Sequence, residues 1–203
     1  MAEPKLETYT IAEYLAREER ALEKSDYDKG RIIHGMSGGT FDHGIIIGNA
    51  NYALKTAISA ENMACVAVTS EVRLYIEAYN SFVYPDGMLL CGEVEFASQD
   101  PLSVTNPTLV IEVLSRSSEG YDRGEKFRKY RSLVSFREYV MIDSRRPVVE
   151  VMYRKGPGEW SMATAIGLDN TIYVHSLAVE ISLRELYAGT LRLNTDLSAD
   201  EAV

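Results

Sequence analysis

The run Thr108-Leu-Val-Ile-Glu112-Val-Leu-Ser115 constrains this chain more than any other stretch. It has the composition of a strand covered on both faces, yet it carries an ionisable group at its centre. Alternation places Leu109, Ile111 and Val113 on one face and Val110, Glu112 and Leu114 on the other. A carboxylate left unpaired in that setting costs several kcal/mol or gives up its charge, so Glu112 needs a partner. A divalent cation shared with a second acid keeps both ionised, and hard cations such as magnesium accept carboxylate oxygens and waters. Asp86, in Tyr84-Pro85-Asp86, is the natural second acid. Proline cannot donate to a ladder, so Asp86 falls at a strand interruption or a sheet edge, where a side chain can face a cleft. A lone Pro-Asp would otherwise be a turn, and its place about one hairpin before the Glu112 strand argues for the site.

Downstream, Ser115 to Gly120 reads as a turn into a helix that carries Asp122, Lys126 and Tyr130 at i, i+4 and i+8, along one face. Phe127 and Leu133 supply core contacts, and Tyr139 to Asp143 reads as the next strand. Strand, crossover helix and strand imply a parallel pair with a right-handed connection.

Four segments, Tyr84-Pro85-Asp86, Asn106 to Ser115, Tyr121-Asp-Arg-Gly-Glu-Lys126-Phe-Arg-Lys-Tyr130 and Glu138-Tyr-Val-Met-Ile-Asp143, together resemble the Uma-two family of "putative restriction endonucleases", within the PD-(D/E)xK nuclease superfamily. The resemblance runs from roughly Ile11 to Tyr187. It implies an α/β fold with a restriction-endonuclease-like mixed β-sheet flanked by helices on both faces and a β-rich C-terminal extension. It also implies metal-dependent hydrolysis of DNA phosphodiester bonds, with Mg2+ or Mn2+ held by Asp86, Glu112 and the backbone carbonyl of Val113. The superfamily's usual lysine stands two residues after the second acid, where this chain has Leu114. The family carries it on the next helix, which transfers to Lys126. Helix spacing and turn position lead to the expectation that Ser115, Asp122 and Tyr130 orient these groups, and a homodimer is expected from the resemblance. His43, in the first turn of a helix expected over Thr40 to Ser59, matches a histidine found in relatives. Two readings of it stay open: a hydrogen-bonded structural residue, or a ligand or base.

The 203 residues suit one domain spanning the chain, with an ordered core over about 8–192 and a flexible acidic tail over 193–203. No apolar run approaches the ~18 residues of a membrane span, and the N-terminus lacks the regions of a signal peptide, so a cytoplasmic protein is expected. Cys65 and Cys91 lie in apolar runs and read as small buried hydrophobes rather than a disulfide. A formal net charge of -9 argues against a protein that coats nucleic acid non-specifically. Residues 116–131 carry +3, however, and Arg116, Arg123, Arg128 and Lys129 are the candidate DNA contacts. The plainer reading of that segment is a solvated helix face with Glu125 and Lys129 as an i,i+4 pair. No Gly-rich phosphate loop, Gly-x-Ser-x-Gly elbow or His-Glu-x-x-His is present, which removes support for the NTPase, esterase and zinc-protease classes. The alternative to an endonuclease is a catalytically inactive nuclease-fold protein that binds DNA or another partner.

Elsewhere, Thr10-Ile-Ala-Glu13 is a capping box opening a helix, Tyr27 to Met36 reads as a short strand, and Ser37-Gly38-Gly39 as a turn. Met63 to Val68, Val72 to Glu77 and Phe82 to Cys91 suggest an antiparallel meander, and Gly92 to Thr105 a loop. Short strands are expected over Val148 to Arg154, Trp160 to Ile166 and Thr171 to Val174, and a last helix over Ser182 to Tyr187.

Overall fold

The structure is a computed structural model that describes residues 7–34 and 39–193. Helix α1 (Ile11–Glu18) opens with the expected capping box: the Glu13 N–H donates to the Thr10 hydroxyl, and the Thr10 N–H to the Glu13 carboxylate at 2.7 Å. A hairpin of β1 (Ser25–Asp28) and β2 (Arg31–His34) follows where one strand was expected. Lys29 and Gly30 both take positive φ and turn the chain back on itself. Part of the expected Ser37-Gly38-Gly39 turn, and the tail from residue 194, lie outside the described residues. Helix α2 (Phe41–Ala60) buries Ile46, Ala50, Leu54 and Ala57 as one stripe.

Next come β3 (Cys65–Thr69), β4 (Arg73–Ile76), β5 (Ser81–Val83), β6 (Gly87–Cys91), β7 (Phe96–Ala97), β8 (Asp100–Val104) and β9 (Leu109–Leu114). The expected meander is instead divided between two sheets. Strands β3 and β6 pair with each other in one, while β4 and β5 pair in the other. The segment from Gly92 to Thr105 is not a plain loop, because β7 and β8 pair within it and Asp100 is buried against Arg73 at 2.9 Å. A helical run then passes through α3 (Glu119–Tyr121), a π-helical turn (Asp122–Lys126) and α4 (Phe127–Tyr130). The chain ends in β10 (Glu138–Asp143), β11 (Val148–Gly156), β12 (Glu159–Ile166), β13 (Thr171–Val174), β14 (Val179–Ser182) and α5 (Leu183–Leu186).

The central sheet has the order β12-β11-β10-β9-β6-β3, with β9 and β10 parallel, as the strand-helix-strand pattern implied. Its first face, with Leu109, Ile111 and Val113, packs on α2, on the β13-β14 hairpin and on α5. Its second face, with Val110 and Leu114, packs on Leu74, Ile76, Val83 and Val104 of the other sheet (β2-β1-β5-β4-β8-β7) and on Tyr130 and Phe136. A second sheet therefore shares with the helical run a face that was expected to carry helices alone. Strands β11 and β12 extend the central sheet, which accounts for the β-rich C-terminal part.

Two polar anchors fix the later elements. Both Glu138 oxygens accept backbone N–H groups, from His175 and Ser176, at 2.8 Å. The Asp42 carboxylate does the same for Leu191 and Arg192. Cys65 and Cys91 are direct partners across the β3-β6 ladder and form a disulfide, which corrects the expectation of two separate thiols. Register, which composition does not reveal, brings them together. Among the described residues no helix is long and apolar enough to cross a membrane.

Candidate active site

Asp86 occupies the crossing point between the two sheets. Strand β5 ends at Val83, Tyr84 and Pro85 carry the chain across, and β6 starts at Gly87 in the central sheet. Strands β6 and β9 pair from Leu89↔Leu109 to Gly87↔Ile111, and Gly87 is the first residue of β6, so the pairing goes no further. The next inward N–H on β9, that of Val113, donates instead to Asp86 Oδ2 at 2.8 Å. The proline interruption thus exchanges a ladder hydrogen bond for a carboxylate. The Val113 carbonyl lies 2.9 Å from His43 Nε2, and the same nitrogen is 3.6 Å from Asp86 Oδ2.

Glu112 faces the opposite side of β9 from Val113 and is 2 % exposed. Its Oε1 accepts from Lys126 Nζ at 3.0 Å and from the Tyr130 hydroxyl at 2.7 Å. Lys126 Nζ also lies 3.1 Å from Asp122 Oδ1. The i, i+4, i+8 line therefore meets the strand acid as the spacing suggested. The π-helical turn from Asp122 to Lys126 is held from below, because the Tyr139 hydroxyl donates to the Asp122 carbonyl at 3.0 Å. Such turns recur at functional sites, where they rotate side chains off the regular helical line. His43, Asp86, Glu112, Val113, Asp122 and Lys126 line one cavity of about 140 Å3, rimmed by Gly39 and by Ser115, Ser117 and Ser118.

The charges do not balance. Burial works against the Lys126 ammonium, but the carboxylates of Glu112, Asp26, Asp122 and Asp86 outweigh it and hold its pKa well above the ordinary lysine range. Burial pushes the Glu112 carboxyl well above its usual range, opposed by Lys126 and reinforced by Asp122 and Asp86. Burial also disfavours a charged His43, yet Asp86 and the Val113 carbonyl raise its pKa. Asp122 Oδ1 is buried and lacks a well-aligned hydrogen bond despite its nearness to Lys126. More carboxylates converge here than one ammonium neutralises, the situation that a divalent cation relieves. Among the described residues no three His, Cys, Asp or Glu side chains form a ready metal cage. The donor set that fits is Asp86 and Glu112 with the Val113 carbonyl, all hard oxygens on this cavity.

The other expected site residues divide. Ser115 bonds only within its turn, exchanging N–H···Oγ bonds of 3.2 Å with Ser118. Arg123 pairs with Glu119 and Glu150, and Arg128 with Glu125 at 2.6 Å, while Arg116 is exposed beside the serine rim. Lys129 corrects the expected surface role. It is 1 % exposed, with Nζ 3.3 Å from Asp28 Oδ1 and 3.2 Å from Ser81 Oγ, and Glu125 is taken by Arg128 rather than by Lys129. Asp26 escaped the reading of the sequence. It is buried on β1, its Oδ1 accepts the Tyr84 N–H at 3.0 Å, and it thereby ties down the turn that delivers Asp86. The Ser-Asp-Tyr-Asp segment offers no signal beyond an acid on a short strand.

Comparison with known proteins agrees with this architecture. The Uma2 family model, described as "putative restriction endonuclease", matches residues 11–186. An uncharacterized protein of Synechocystis sp., sll1609, is 35% identical over 158 residues, covering 78% of this chain and 88% of that protein. A second from the same organism, slr1290, is 28% identical over 177 residues, covering 87% of this chain and 90% of its own length. The crystal structure of a "putative nuclease" of DUF820 from Anabaena variabilis superposes with a TM-score of 0.67 at 17% identity, over 89% of this chain and 98% of that one, and so shares the fold. With its two sheets, its interrupted strand before Asp86 and its strand acid at Glu112, this chain belongs to the Uma2 family of restriction-endonuclease-like proteins.

Proposed function

We propose that this protein is a metal-dependent endonuclease that hydrolyses DNA phosphodiester bonds. One observation carries the reading: Lys126 reaches Glu112 at 3.0 Å from a separate helical element, inside the cavity that Asp86 also lines. Two acids, a strand carbonyl and a buried cation suit phosphoryl transfer, where positioning and charge stabilisation do most of the catalytic task.

Asp86, Glu112 and the Val113 carbonyl would hold Mg2+ or Mn2+. When bound, such an ion polarises a phosphoryl oxygen and makes water a better nucleophile at neutral pH. The Lys126 ammonium would stabilise negative charge developing on the phosphate. Tyr130 holds Glu112 in place, and Asp122 keeps Lys126 aligned from one turn away. Arg116, at the rim, is the exposed cation best placed to meet a phosphate backbone. A homodimer whose two sites address two strands completes the reading.

The alternative, a nuclease fold that binds without turnover, draws on the commitment of Glu112 Oε1 to both Lys126 and Tyr130. Plasmid nicking with Mg2+ or Mn2+ decides between them. Metal-dependent nicking by wild type that Asp86→Ala abolishes is the expected result. Metal binding without any nicking would favour the binding protein.

A further inference from the structure

His43 stands beside two of the three donors assigned to the ion, Asp86 and the Val113 carbonyl. It lies on the inward stripe of α2, one turn ahead of Ile46 and in line with Ala50, Leu54 and Ala57, which pack on the central sheet. The stripe is apolar except at this first turn. Thr40 caps the helix there by accepting the His43 N–H at 3.3 Å. Gly39 packs against the imidazole so closely that a Cβ at that position would run into the ring, so the close approach requires glycine.

The ring nitrogen Nε2 faces two oxygens at once, the Val113 carbonyl at 2.9 Å and Asp86 Oδ2 at 3.6 Å. One N–H satisfies the first, and 3.6 Å is too long for a hydrogen bond to the second. Two donors bound side by side on one ion at about 2.0–2.2 Å stand roughly 3.0–3.5 Å apart, from near-octahedral to near-tetrahedral angles. The observed pair of separations brackets that range. An imidazole joining oxygen donors shifts preference from Mg2+, which favours an all-oxygen shell, towards first-row transition ions.

Building on the metal-dependent reading above, we infer that His43 is a nitrogen ligand of the site metal, beside Asp86 and the Val113 carbonyl, and that it makes the site selective for Mn2+ over Mg2+. The metal takes the Nε2 lone pair of a neutral ring protonated on Nδ1: an imidazolium loses its Nε2 proton to solvent, a neutral ring moves its one proton from Nε2 to Nδ1 through solvent, and the α2 backbone need not move.

The test uses the full chain loaded with Mn2+ and no nucleic acid. Pulsed electron paramagnetic resonance of wild type should show nitrogen modulation that changes when the protein is grown with 15N-imidazole histidine. His43→Gln, which can still donate to the Val113 carbonyl, should lose the modulation and bind Mn2+ at least tenfold more weakly. Its Mg2+ affinity should change little, so the Mn2+ preference collapses. Thermal melting of the variant checks that it is folded, and His43→Ala gives an independent second variant. Mn2+ bound by wild type with no histidine nitrogen coupling overturns the ligand role and leaves the endonuclease reading standing. Failure of wild type to bind Mn2+ at all overturns both.

Discussion

Lys126 Nζ and Glu112 Oε1 lie 3.0 Å apart, both almost wholly buried, although they come from different elements fourteen positions apart. On the proposed endonuclease reading, the helical run supplies the charge-stabilising ammonium from across the cavity. Lys126→Met should therefore reduce cleavage by about 10²-fold or more, the scale set by loss of one charge-stabilising group. Mn2+ binding should persist, because an ammonium is not a ligand. Removing one side of a buried pair costs on the order of 3–5 kcal/mol, so a melting curve must accompany the assay. Equal cleavage by folded Lys126→Met and wild type would show that the lysine has been assigned to the wrong residue.

Lys129 should behave differently from its neighbour three positions earlier. It spans from the helical run to β1 and β5, reaching Asp28 and Ser81, and its loss leaves those partners facing a void. Lys129→Met is expected to lower stability by about 2–4 kcal/mol while leaving DNA affinity per folded molecule unchanged. Denaturant unfolding set beside a binding isotherm measures both. Weakened binding at full stability would return Lys129 to the surface.

DNA binding should depend more on Arg116 than on Arg123, since Arg116 is exposed while Arg123 is engaged by Glu119 and Glu150. Arg116→Glu should weaken binding and flatten the slope of log affinity against log salt by about 0.9 for each phosphate that is no longer neutralised. Arg123→Gln should change that slope less. The reverse order would place the DNA along the other side of the helical run.

Asp143 provides a pH-dependent strut away from the cavity. Burial alone would raise its carboxyl, but hydrogen bonds from Arg145 and Arg146 outweigh burial and hold it below the ordinary value of 3.8. Because the folded pKa is depressed, the stabilisation is present above the unfolded pKa and disappears as pH falls through the folded one. Asp143→Asn should therefore cost about 2–3 kcal/mol near neutrality, and the gap from wild type should shrink at pH below about 4. A gap that is constant across pH would mean that the carboxylate charge contributes nothing.

What the sequence disclosed here was chemistry borne on regular spacing. Glu112 stood out because a charge in an apolar alternating run has few explanations, and Asp86 because a proline marks where a ladder must stop. Lys126 and Tyr130 followed from helical spacing. Hidden features depended on partners remote in sequence. Asp26 meets the Tyr84 N–H across 58 positions, and Lys129 meets Ser81 across 48, whereas its neighbour Glu125 offered a local partner that the fold does not use. Cys65 and Cys91 pair only because β3 and β6 align them. The division into two sheets was likewise invisible, since β4 and β6 are both short buried strands and only packing sends them to different layers.

The passage through Tyr84, Pro85 and Asp86 has a mechanical consequence. The acid proposed to hold a cation is also the joint at which one layer hands the chain to the other, and its direct partners, His43 and the Val113 N–H, belong to α2 and β9. An ion seated there would rivet three elements together and raise resistance to heat with the logarithm of its concentration once the site is filled. At a hundred times the dissociation constant the gain is about 2.7 kcal/mol. Melting temperature against Mn2+ concentration would then report the affinity of this joint directly, with no substrate in the tube.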